Sequence, residues 1–404
     1  MRVAWLSPLP PATSGIADYS AELLPAIAER VTVDAVAPAH RGERPNVPAG
    51  VGFVTPQAFD RAAPSYDAVF HHLGNNPHHE FVYRAALRHP GIAVFHDFVL
   101  HHLIDWMAFG DRRVDAGLYR TIAEEEEGDL GLRLSSLRCK MVATDFEKFL
   151  FPLNRRVAQA AHAIVVHNQD AHDRMEGIAP GVPVTVIPHN AGRPPREVDG
   201  VTRAEARRLL GLPTHAFLVG HFGYITRPKQ PAAVIGGFRR LADTRSDALL
   251  LMVGADNTGG GLSRLVARHG LTDRVRVAGF VDLALFYLYL RAVDAVVNLR
   301  YPTAGESSGT AARALAEGRA TVVTNLGSFA EIPEGAALKI EIDADLAEGV
   351  GERLVRLAED PAFRAGVEER ARAYSRTTLS PERCRDLYVA AAEREAAAVS
   401  PSGA

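Results

Sequence analysis

The chain has 404 residues and a formal net charge of -3 at pH 7, with 47% hydrophobic and 23% charged residues. Its length exceeds what one ordinary hydrophobic core serves, so we expect two domains of a globular protein. The small net charge excludes a general electrostatic attraction to nucleic acid, and the sequence has no basic arm, zinc-ligand spacing or RNA-binding signature. Nucleic-acid binding is therefore not expected.

The cysteines and the apolar runs bear on the cellular compartment. Cys139 and Cys384 lie far apart and form no C-x-x-C pair, which favours a reduced setting. The N-terminal apolar run is too short for a signal peptide, and no later run reaches the ~18 residues that a membrane span needs. We expect a soluble, cytoplasmic protein and leave contact with a membrane surface open.

Short apolar strands alternate with helical stretches through the first half of the chain. The strands are predicted at residues 3–6 and in VTVDAVAP, AVFHH, IAVFHD, AIVVHN and VTVIP. This alternation predicts a parallel sheet with right-handed crossovers, whose ligands bind beyond the carboxyl ends of the strands. After the first strand, Gly15 would let a phosphate or sugar approach the backbone closely, unless it serves only the turn.

Two strand ends in this half are followed by histidine-rich segments, HHLGNNPHHE at 71–80 and HDFVLHH at 96–102. Imidazole is the commonest protein ligand for zinc, but no H-E-x-x-H pattern or paired cysteines support a metal site. We therefore predict a polar acceptor pocket at the carboxyl edge of the sheet, where Asp97 either orients the neighbouring His96 or contacts an acceptor. The alternative is that His96 only caps a strand end. The region 104–153 is predicted to be mainly helical, and its acidic run at 124–127 to be a solvated face.

The polar segment 189–200 marks a domain boundary, after which the strand and helix pattern starts again. A strand at 217–221 leads to a turn at Gly223 and then to two cations, Arg227 and Lys229, before the next helix. Such cations can neutralise a diphosphate leaving group. The alternative is a pair of solvated loop cations.

The segment 293–333 combines a strand, a ligand loop and a helix start. An apolar run at 295–299 ends in a loop that carries Glu306 and the small residues Ser307, Ser308 and Gly309, and an Ala-rich helical pattern begins there. Exposed N–H groups and the positive end of the helix dipole suit an anion such as a phosphate. The alternative is an ordinary βαβ unit with Glu306 as a solvated loop residue.

The order GESSG, RALAEGRATVVT and LGSFAEIP resembles the nucleotide-sugar signature of the retaining GT-B glycosyltransferases of the family 4 type, glycosyl transferases group 1. The resemblance implies that Glu306 contacts the donor sugar and that the amides of Ser307, Ser308 and Gly309 face the diphosphate. It also places His96 beside the donor sugar, Lys229 near the diphosphate, and the backbone of Phe280 and Val281 against the nucleotide base.

Two positions depart from the family's pattern. Arg313 stands where the family has a Glu that holds the ribose, and Glu317 lies one helical turn further on, where it could pair with Arg313. Tyr224 stands where an Arg is expected directly after Gly223, so Arg227 is proposed as its replacement. Arg313 is retained as a candidate donor-binding residue.

The implied fold is α/β of the GT-B type, with two Rossmann-like domains facing an interdomain cleft. We predict an acceptor-binding domain at 1–190, a nucleotide-sugar-binding domain at 191–370, and a final helix with a disordered tail at 371–404 that crosses back to the first domain. The implied function is metal-independent, retaining transfer of a hexose from a UDP- or GDP-sugar to a carbohydrate, lipid-linked or small-molecule acceptor.

High Ala and Arg usage suggests a GC-rich bacterial genome and hence polysaccharide, glycolipid or natural-product glycoside synthesis. No tightly bound cofactor or metal is expected, and the sequence leaves the oligomeric state open. The alternatives are another GT-B enzyme, such as an epimerase or a phosphorylase, and an inactive nucleotide-sugar-binding protein.

Overall fold

The computed structural model describes residues 1–39, 42–111, 113–343 and 345–399. By contacts the chain groups into two compact units: unit 1 comprises Met1–Asn190, Ala304–Ser307 and the chain from Pro381 onward, and unit 2 comprises Ala191–Thr303 and Ser308–Ser380. The tail predicted to be disordered lies outside the described residues beyond Val399. None of the helices within the described ranges is long and apolar enough to cross a membrane.

In chain order, the strands among the described residues are β1 (Arg2–Leu6), β2 (Thr32–Val36), β3 (Gly52–Val54), β4 (Ala68–Leu73), β5 (Ile92–Phe95), β6 (Ala163–Val166), β7 (Val184–Val186), β8 (Leu218–Phe222), β9 (Leu249–Val253), β10 (Val275–Gly279), β11 (Ala295–Asn298), β12 (Ala320–Thr324) and β13 (Leu338–Ile340).

The helices are α1 (Gly15–Ala28), α2 (Pro56–Ala62), α3 (Glu80–Arg88), α4 (His101–Phe109), α5 (Ala116–Glu127), α6 (Asp129–Cys139), α7 (Glu147–Leu150), α8 (Arg155–Ala160), α9 (Gln169–Ile178), α10 (Arg203–Leu209), α11 (Pro231–Thr244), α12 (Gly261–Arg268), α13 (Leu283–Ala292), α14 (Gly309–Ala316), α15 (Leu346–Glu359), α16 (Pro361–Thr378) and α17 (Pro381–Val399).

Unit 1 is built on a parallel sheet with the strand order β3-β2-β1-β4-β5-β6-β7. Along β1, Val3 and Trp5 join the core on one face, whereas Ala4 and Leu6 join the core on the other. Because both faces are buried, the strands are mainly apolar, as a doubly wound sheet requires. The strand order reverses between β1 and β4, and this switch point is where such sheets open a crevice for ligands.

Helix α17 belongs to unit 1. Its Cys384 and Tyr388 are buried in the same core as Trp5. The hydroxyl of Tyr388 lies 3.0 Å from that of Tyr19 on α1, and the thiol of Cys384 donates to the carbonyl of Pro188 at 3.0 Å. Helix α17 is therefore part of the first core rather than a separate element.

Unit 2 repeats the architecture with the order β10-β9-β8-β11-β12-β13, again all parallel. Its central strands β8 and β11 are joined at their amino ends by Asp294, whose Oδ2 accepts the backbone N–H of Leu218 at 2.8 Å and Nη2 of Arg207 at 2.7 Å. The carboxylate is buried but paired, as a buried charge must be. The switch point of this sheet lies between β8 and β11.

Two details differ from the sequence-based predictions. The edge strand β3 has only three residues and was not predicted. Helix α1 begins directly at Gly15, which was predicted only as a turn or ligand-contact residue, because the Oγ of Ser14 caps the helix by accepting the N–H of Ile16 at 3.3 Å.

The acidic run at 124–127 is not simply a solvated face. Glu126 is buried and accepts the backbone N–H groups of Arg155 and Arg156 at 2.8 and 3.1 Å, where it caps the start of α8. Burial raises the pKa of the Glu126 carboxyl to about 7, against the effect of the two N–H donors. This prediction was wrong because one of four adjacent helical positions turns inward.

Candidate active site

The switch point of unit 2 holds a buried cation. Lys229 lies in the one-turn helix that follows β8, and its Nζ donates to the carbonyl of Phe222 at 2.9 Å. Gly223 has φ +80°, and a Cβ at this position would run into the Nζ of Lys229 and lie 3.6 Å from Oγ1 of Thr310. The glycine therefore serves two purposes: it permits the left-handed turn and leaves room for the ammonium group beside the first turn of α14.

The other two candidates in this loop are more open. Arg227 is exposed, and its guanidinium has no hydrogen bond to any residue in the described part of the chain. Tyr224, at the position where the family has an Arg, is 38% exposed. Because Lys229 is buried whereas Arg227 is not, the two predicted cations lie in different environments.

The helix start predicted after the GESSG loop is present as α14. Ser308 is its N-cap, and its Oγ accepts the N–H of Ala311 at 3.2 Å and Nδ2 of Asn298 at 2.8 Å. Asn298 is the last residue of β11, so its amide links the strand end to the helix N-terminus. The hydroxyl of Ser308 is thus used within the fold, and the N–H groups at the start of α14 are oriented along the helix axis.

The suggested pairing of Glu317 with Arg313 is wrong. Glu317 accepts two hydrogen bonds from Arg291 on α13, at 2.9 Å from Nε and 3.2 Å from Nη2. Because both carboxylate oxygens of Glu317 accept from the guanidinium fork of Arg291, Glu317 pairs with the neighbouring helix α13. Arg313 itself is buried in α14.

Glu306 lies in a four-residue segment, Ala304–Ser307, that groups with unit 1. Its Oε2 accepts the N–H of Ala304 at 2.8 Å. The carbonyl of Ala304 accepts the N–H of Val99 at 2.9 Å, and Gly305, with φ +77°, packs so tightly on Phe98 that a Cβ would collide with it. The carboxylate of Glu306 is therefore fixed by its own turn.

A second anchor of this segment comes from Asn168, which follows β6. Its Nδ2 donates to the carbonyl of Gly305 at 3.3 Å and to the Oγ of Ser307 at 3.1 Å. The Oγ of Ser307 in turn donates to the carbonyl of His167 at 3.4 Å. The Ser307 hydroxyl, like that of Ser308, already has hydrogen-bond partners within the protein.

His96 lies at the carboxyl end of β5, where it was predicted, but its ring faces other histidines. Its Nε2 is 2.9 Å from Nδ1 of His72, and its Nδ1 is 3.1 Å from Nε2 of His167. Tyr19 packs edge-on against the His96 ring with centroids 4.8 Å apart. Both ring nitrogens of His96 are therefore engaged.

Asp97, next to His96, accepts the backbone N–H of Asn75 at 2.8 Å, and Asn75 in turn contacts Nδ1 of His102. This links the two histidine-rich segments at the carboxyl edge of the sheet. The predicted polar cluster is thus present at this edge of the sheet. Binding of an acceptor by this cluster stays a prediction.

The remaining candidates lie at element ends. Gly15 is the first residue of α1, and a Cβ there would meet no atom within 4 Å, so packing does not require glycine at this position. Phe280, directly after β10, is 62% exposed, and Val281 is half-buried. Both are placed where a ligand could meet backbone groups, and their contact with a base stays a prediction.

Several polar residues of these clusters were not predicted individually as site residues. They follow or end buried strands, or stand in the first turn of a helix: His72, His167, Asn168, Asn298 and Thr310. The signal for three of them is visible in the sequence, because a polar side chain ends an otherwise apolar run in AIVVHN and AVVN. The hydrogen-bond partners of these residues depend on the order of the strands in the sheet, which the sequence alone does not reveal.

Burial of so many imidazoles predicts an acid-sensitive fold. Burial lowers the pKa of His71, His79 and His167 to about 4 and that of His221 to about 3, and it holds the pKa values of His72 and His96 well below their ordinary range. These rings are neutral in the fold but take up protons near pH 6.5 when unfolded. The unfolded chain therefore binds more protons below pH 6.5.

We expect the free energy of unfolding to be fully present above about pH 7 and to fall as the pH drops towards 4, by up to about 1.4 kcal/mol per pH unit for each such group. Urea unfolding at pH 7.5, 6.5 and 5.5 measures this. Glu126 acts in the opposite direction, so Glu126→Gln is expected to steepen the loss. An unfolding free energy that does not change over this range would contradict the assignment of neutral, buried imidazoles.

The comparisons with known proteins agree with this architecture. Residues 216–360 match the family model described as glycosyl transferases group 1, which covers about a third of the chain. No curated protein sequence matches the chain significantly.

Several solved structures share the fold over nearly the whole chain. Sucrose-phosphate synthase from Thermosynechococcus elongatus superposes with a TM-score of 0.67 at 15% identity, over 99% of this chain and 100% of that one. HepE from Anabaena, in complex with UDP, gives 0.66 at 14% identity, over 98% and 100%. WaaG, a glycosyltransferase involved in lipopolysaccharide biosynthesis, gives 0.65 at 13% identity, over 95% and 99%.

At these identities the likeness shows the fold alone. The chain has the GT-B architecture of two parallel-sheet α/β units, as predicted, and its second unit carries the group 1 match.

Proposed function

We propose that the chain is a retaining glycosyltransferase that moves a hexose from a nucleotide diphosphate sugar to an acceptor hydroxyl. The observation that carries this proposal is the buried ammonium of Lys229 beside Gly223 and the first turn of α14, at the switch point of unit 2. That point lies within the segment that matches group 1 glycosyltransferases. A fixed cation next to oriented N–H groups suits a diphosphate.

In this proposal unit 2 binds the donor. Lys229 and Arg227 neutralise the diphosphate together with the amides of Ser308 and Gly309, and the backbone of Phe280 and Val281 meets the base. A UDP-sugar is favoured as the donor because the Anabaena HepE structures contain UDP and UDP-glucose. Lys229 and Arg227 provide the neutralisation without a metal ion, and Arg313 stands at the position where the family holds the ribose.

Glu306 holds hydroxyl groups of the donor sugar through its preorganised carboxylate. The bond between C1 of the sugar and the diphosphate oxygen breaks while the acceptor oxygen bonds to C1 on the same face. The acceptor's hydroxyl proton passes to the leaving diphosphate oxygen, so no carboxylate nucleophile is needed. This differs from the two-carboxylate scheme of glycoside hydrolysis.

Unit 1 would bind the acceptor. Beyond the carboxyl ends of β1 and β2 it contains a cavity of about 370 Å³, within the range of small-molecule pockets. Its walls are mainly apolar and include Leu9, Pro38 and Phe81. Its two lining residues of opposite charge, Glu80 and Arg84, pair with each other at 2.9 Å, and Glu80 also pairs with Arg113 at 2.8 Å. These features favour an acceptor that carries an uncharged, apolar portion, such as a glycolipid or a natural-product glycoside made in the cytoplasm of a bacterium.

The test is transfer from UDP-glucose to two matched acceptors, octyl β-glucoside and methyl β-glucoside, followed by proton NMR. We expect a product with an α-linkage, retained from the α-configured donor, and a higher kcat/KM for the octyl acceptor. A β-linked product would contradict retention. Binding of UDP-glucose without transfer to a wider set of acceptors would favour a nucleotide-sugar-binding protein that has lost activity.

A further inference from the structure

Three buried histidines of unit 1 form a continuous hydrogen-bonded chain, which we call the imidazole chain: His72, His96 and His167. They stand at the carboxyl ends of β4, β5 and β6, which are neighbours in the sheet. The links are 2.9 Å between His72 Nδ1 and His96 Nε2, and 3.1 Å between His96 Nδ1 and His167 Nε2. The far end is His167 Nδ1, 2.8 Å from the carbonyl oxygen of Ile187.

The direction of every hydrogen bond in the imidazole chain follows from its last contact. A carbonyl oxygen only accepts, so Nδ1 of His167 must carry the proton. In a neutral ring the other nitrogen then holds a lone pair, so Nε2 of His167 accepts from Nδ1–H of His96. By the same step, Nε2 of His96 accepts from Nδ1–H of His72. All three rings are thus fixed as Nδ1–H tautomers.

The first ring of the imidazole chain ends in a buried lone pair. Nε2 of His72 is enclosed and has no hydrogen-bond partner among the described residues. Trp5 stacks on the His72 ring with centroids 4.1 Å apart, and Tyr19 packs edge-on against His96. Because aromatic rings close the His72 end, the imidazole chain has one polar anchor, at Ile187.

The segment that carries Glu306 is tied to the same strand end. The Oγ of Ser307 donates to the carbonyl of His167 at 3.4 Å, and Asn168, the next residue, donates to Gly305 and Ser307. The ring of His167 and the position of Glu306 are therefore set by one short stretch at the end of β6.

We propose that His72 and His167 are positioning residues for the proposed transfer, which hold the ring of His96 in one tautomer and one orientation. The ring of His96 then links β5 to the end of β6, where the hydrogen bonds of Ser307 and Asn168 hold the segment that carries Glu306, and it exchanges no proton with a substrate. The inference rests on the proposed function for its catalytic consequence, whereas the tautomers follow from the geometry alone.

Nitrogen-15 NMR of the histidine side chains in the full chain tests the geometry without any substrate. We expect His72, His96 and His167 as neutral Nδ1–H tautomers at pH 7.5. His71 is an internal reference of the opposite kind, because its Nε2 lies 2.8 Å from the carbonyl of His89 and so must carry the proton. An Nε2–H tautomer, or a charged ring, at His96 would overturn the proposal.

Two substitutions of His167 test the consequence. In His167→Gln, the side-chain amide oxygen lies near the former Nε2 and can still accept Nδ1–H of His96. In His167→Asn, the shorter amide reaches only the former Nδ1 position near Ile187, so the hydrogen bond from His96 is lost. We expect His167→Asn to lower kcat about tenfold to a hundredfold while the donor Kd changes less than about twofold, and His167→Gln to recover most of kcat. Equal kcat values in the two variants, with the His96 tautomer unchanged in both, would overturn it.

The two proposals fail in different ways. If UDP-glucose neither binds nor reacts while NMR shows three Nδ1–H rings, the proposed function fails and the tautomer assignment stands. If transfer occurs but His96 exchanges its tautomer, the positioning role fails alone. A double-mutant cycle between His96→Ala and His167→Asn adds a check, since residues that act as one unit are expected to show non-additive losses in kcat.

Discussion

Glu306→Ala is expected to lower turnover of a nucleotide sugar by on the order of a hundredfold or more. The physical reason is preorganisation. The Glu306 carboxylate accepts the N–H of Ala304, and the turn is held by Val99 and by the close contact of Gly305 with Phe98. A carboxylate fixed in this way can hold sugar hydroxyls without reorganising as the glycosidic bond breaks.

The measurement is steady-state kinetics with UDP-glucose, beside a melting curve for each variant. Glu306→Gln keeps an oxygen that can accept the Ala304 N–H but loses the charge, so an intermediate loss is expected. Glu124→Ala, at an exposed position of α5, is the matched control and is expected to behave like the wild type. Turnover at the wild-type level in a folded Glu306→Ala variant would remove this residue from the site.

The second large effect is expected from Gly223→Ala. An added methyl group would collide with the Nζ of Lys229, and φ +80° at this position disfavours any residue with a Cβ. Because Lys229 must move, we expect donor affinity to fall about tenfold to a hundredfold, as for loss of a charge-assisted hydrogen bond. Lys229→Ala should give a similar loss.

The control variant Gly211→Ala separates the two effects of Gly223→Ala, which are backbone strain at a positive φ and the collision with Lys229. Gly211 has φ +62°, and a Cβ there would meet no atom within 4 Å, so this variant adds backbone strain without displacing a side chain. Calorimetric titration with UDP is expected to show unchanged affinity for Gly211→Ala. If Gly223→Ala binds as tightly as Gly211→Ala does, the collision with Lys229 has no role in donor binding.

The sequence predicts the fold well because its signals are local. Buried parallel strands appear as short apolar runs, and the polar residue that ends each run marks the edge where ligands bind. The turn at Gly223, the cation at Lys229 and the start of α14 at Gly309 all follow from such runs. The three-residue strand β3 was missed because GFV has no length or pattern to distinguish it from a loop.

The partners of side chains were less predictable, because they depend on which elements become neighbours. Glu317 pairs with Arg291 on α13, while reasoning within one helix suggested Arg313. His96 was placed at the right strand end, yet its ring contacts His72 and His167, which are 24 and 71 residues away along the chain. Only the order of β4, β5 and β6 in the sheet brings these three rings together.

The segment with Glu306 shows the same limitation. Its glycine and its acidic residue were identified from the sequence, but its hydrogen bonds to Val99 and Asn168 were not. Nothing in the local pattern of GESSG indicates which distant strand end it contacts. Long-range polar contacts of this kind need the tertiary structure.

The most direct measurement is the thermal stability of the purified protein with UDP-, GDP-, ADP- and dTDP-sugars, with no metal added. A ligand at a hundred times its Kd should stabilise the fold by about 2.7 kcal/mol, which is visible as a rise in Tm. We predict a rise in Tm with the UDP-sugars and the loss of this rise in the Lys229→Ala variant. No rise with any of these nucleotides would contradict the assignment of the unit 2 switch point as a nucleotide-sugar site.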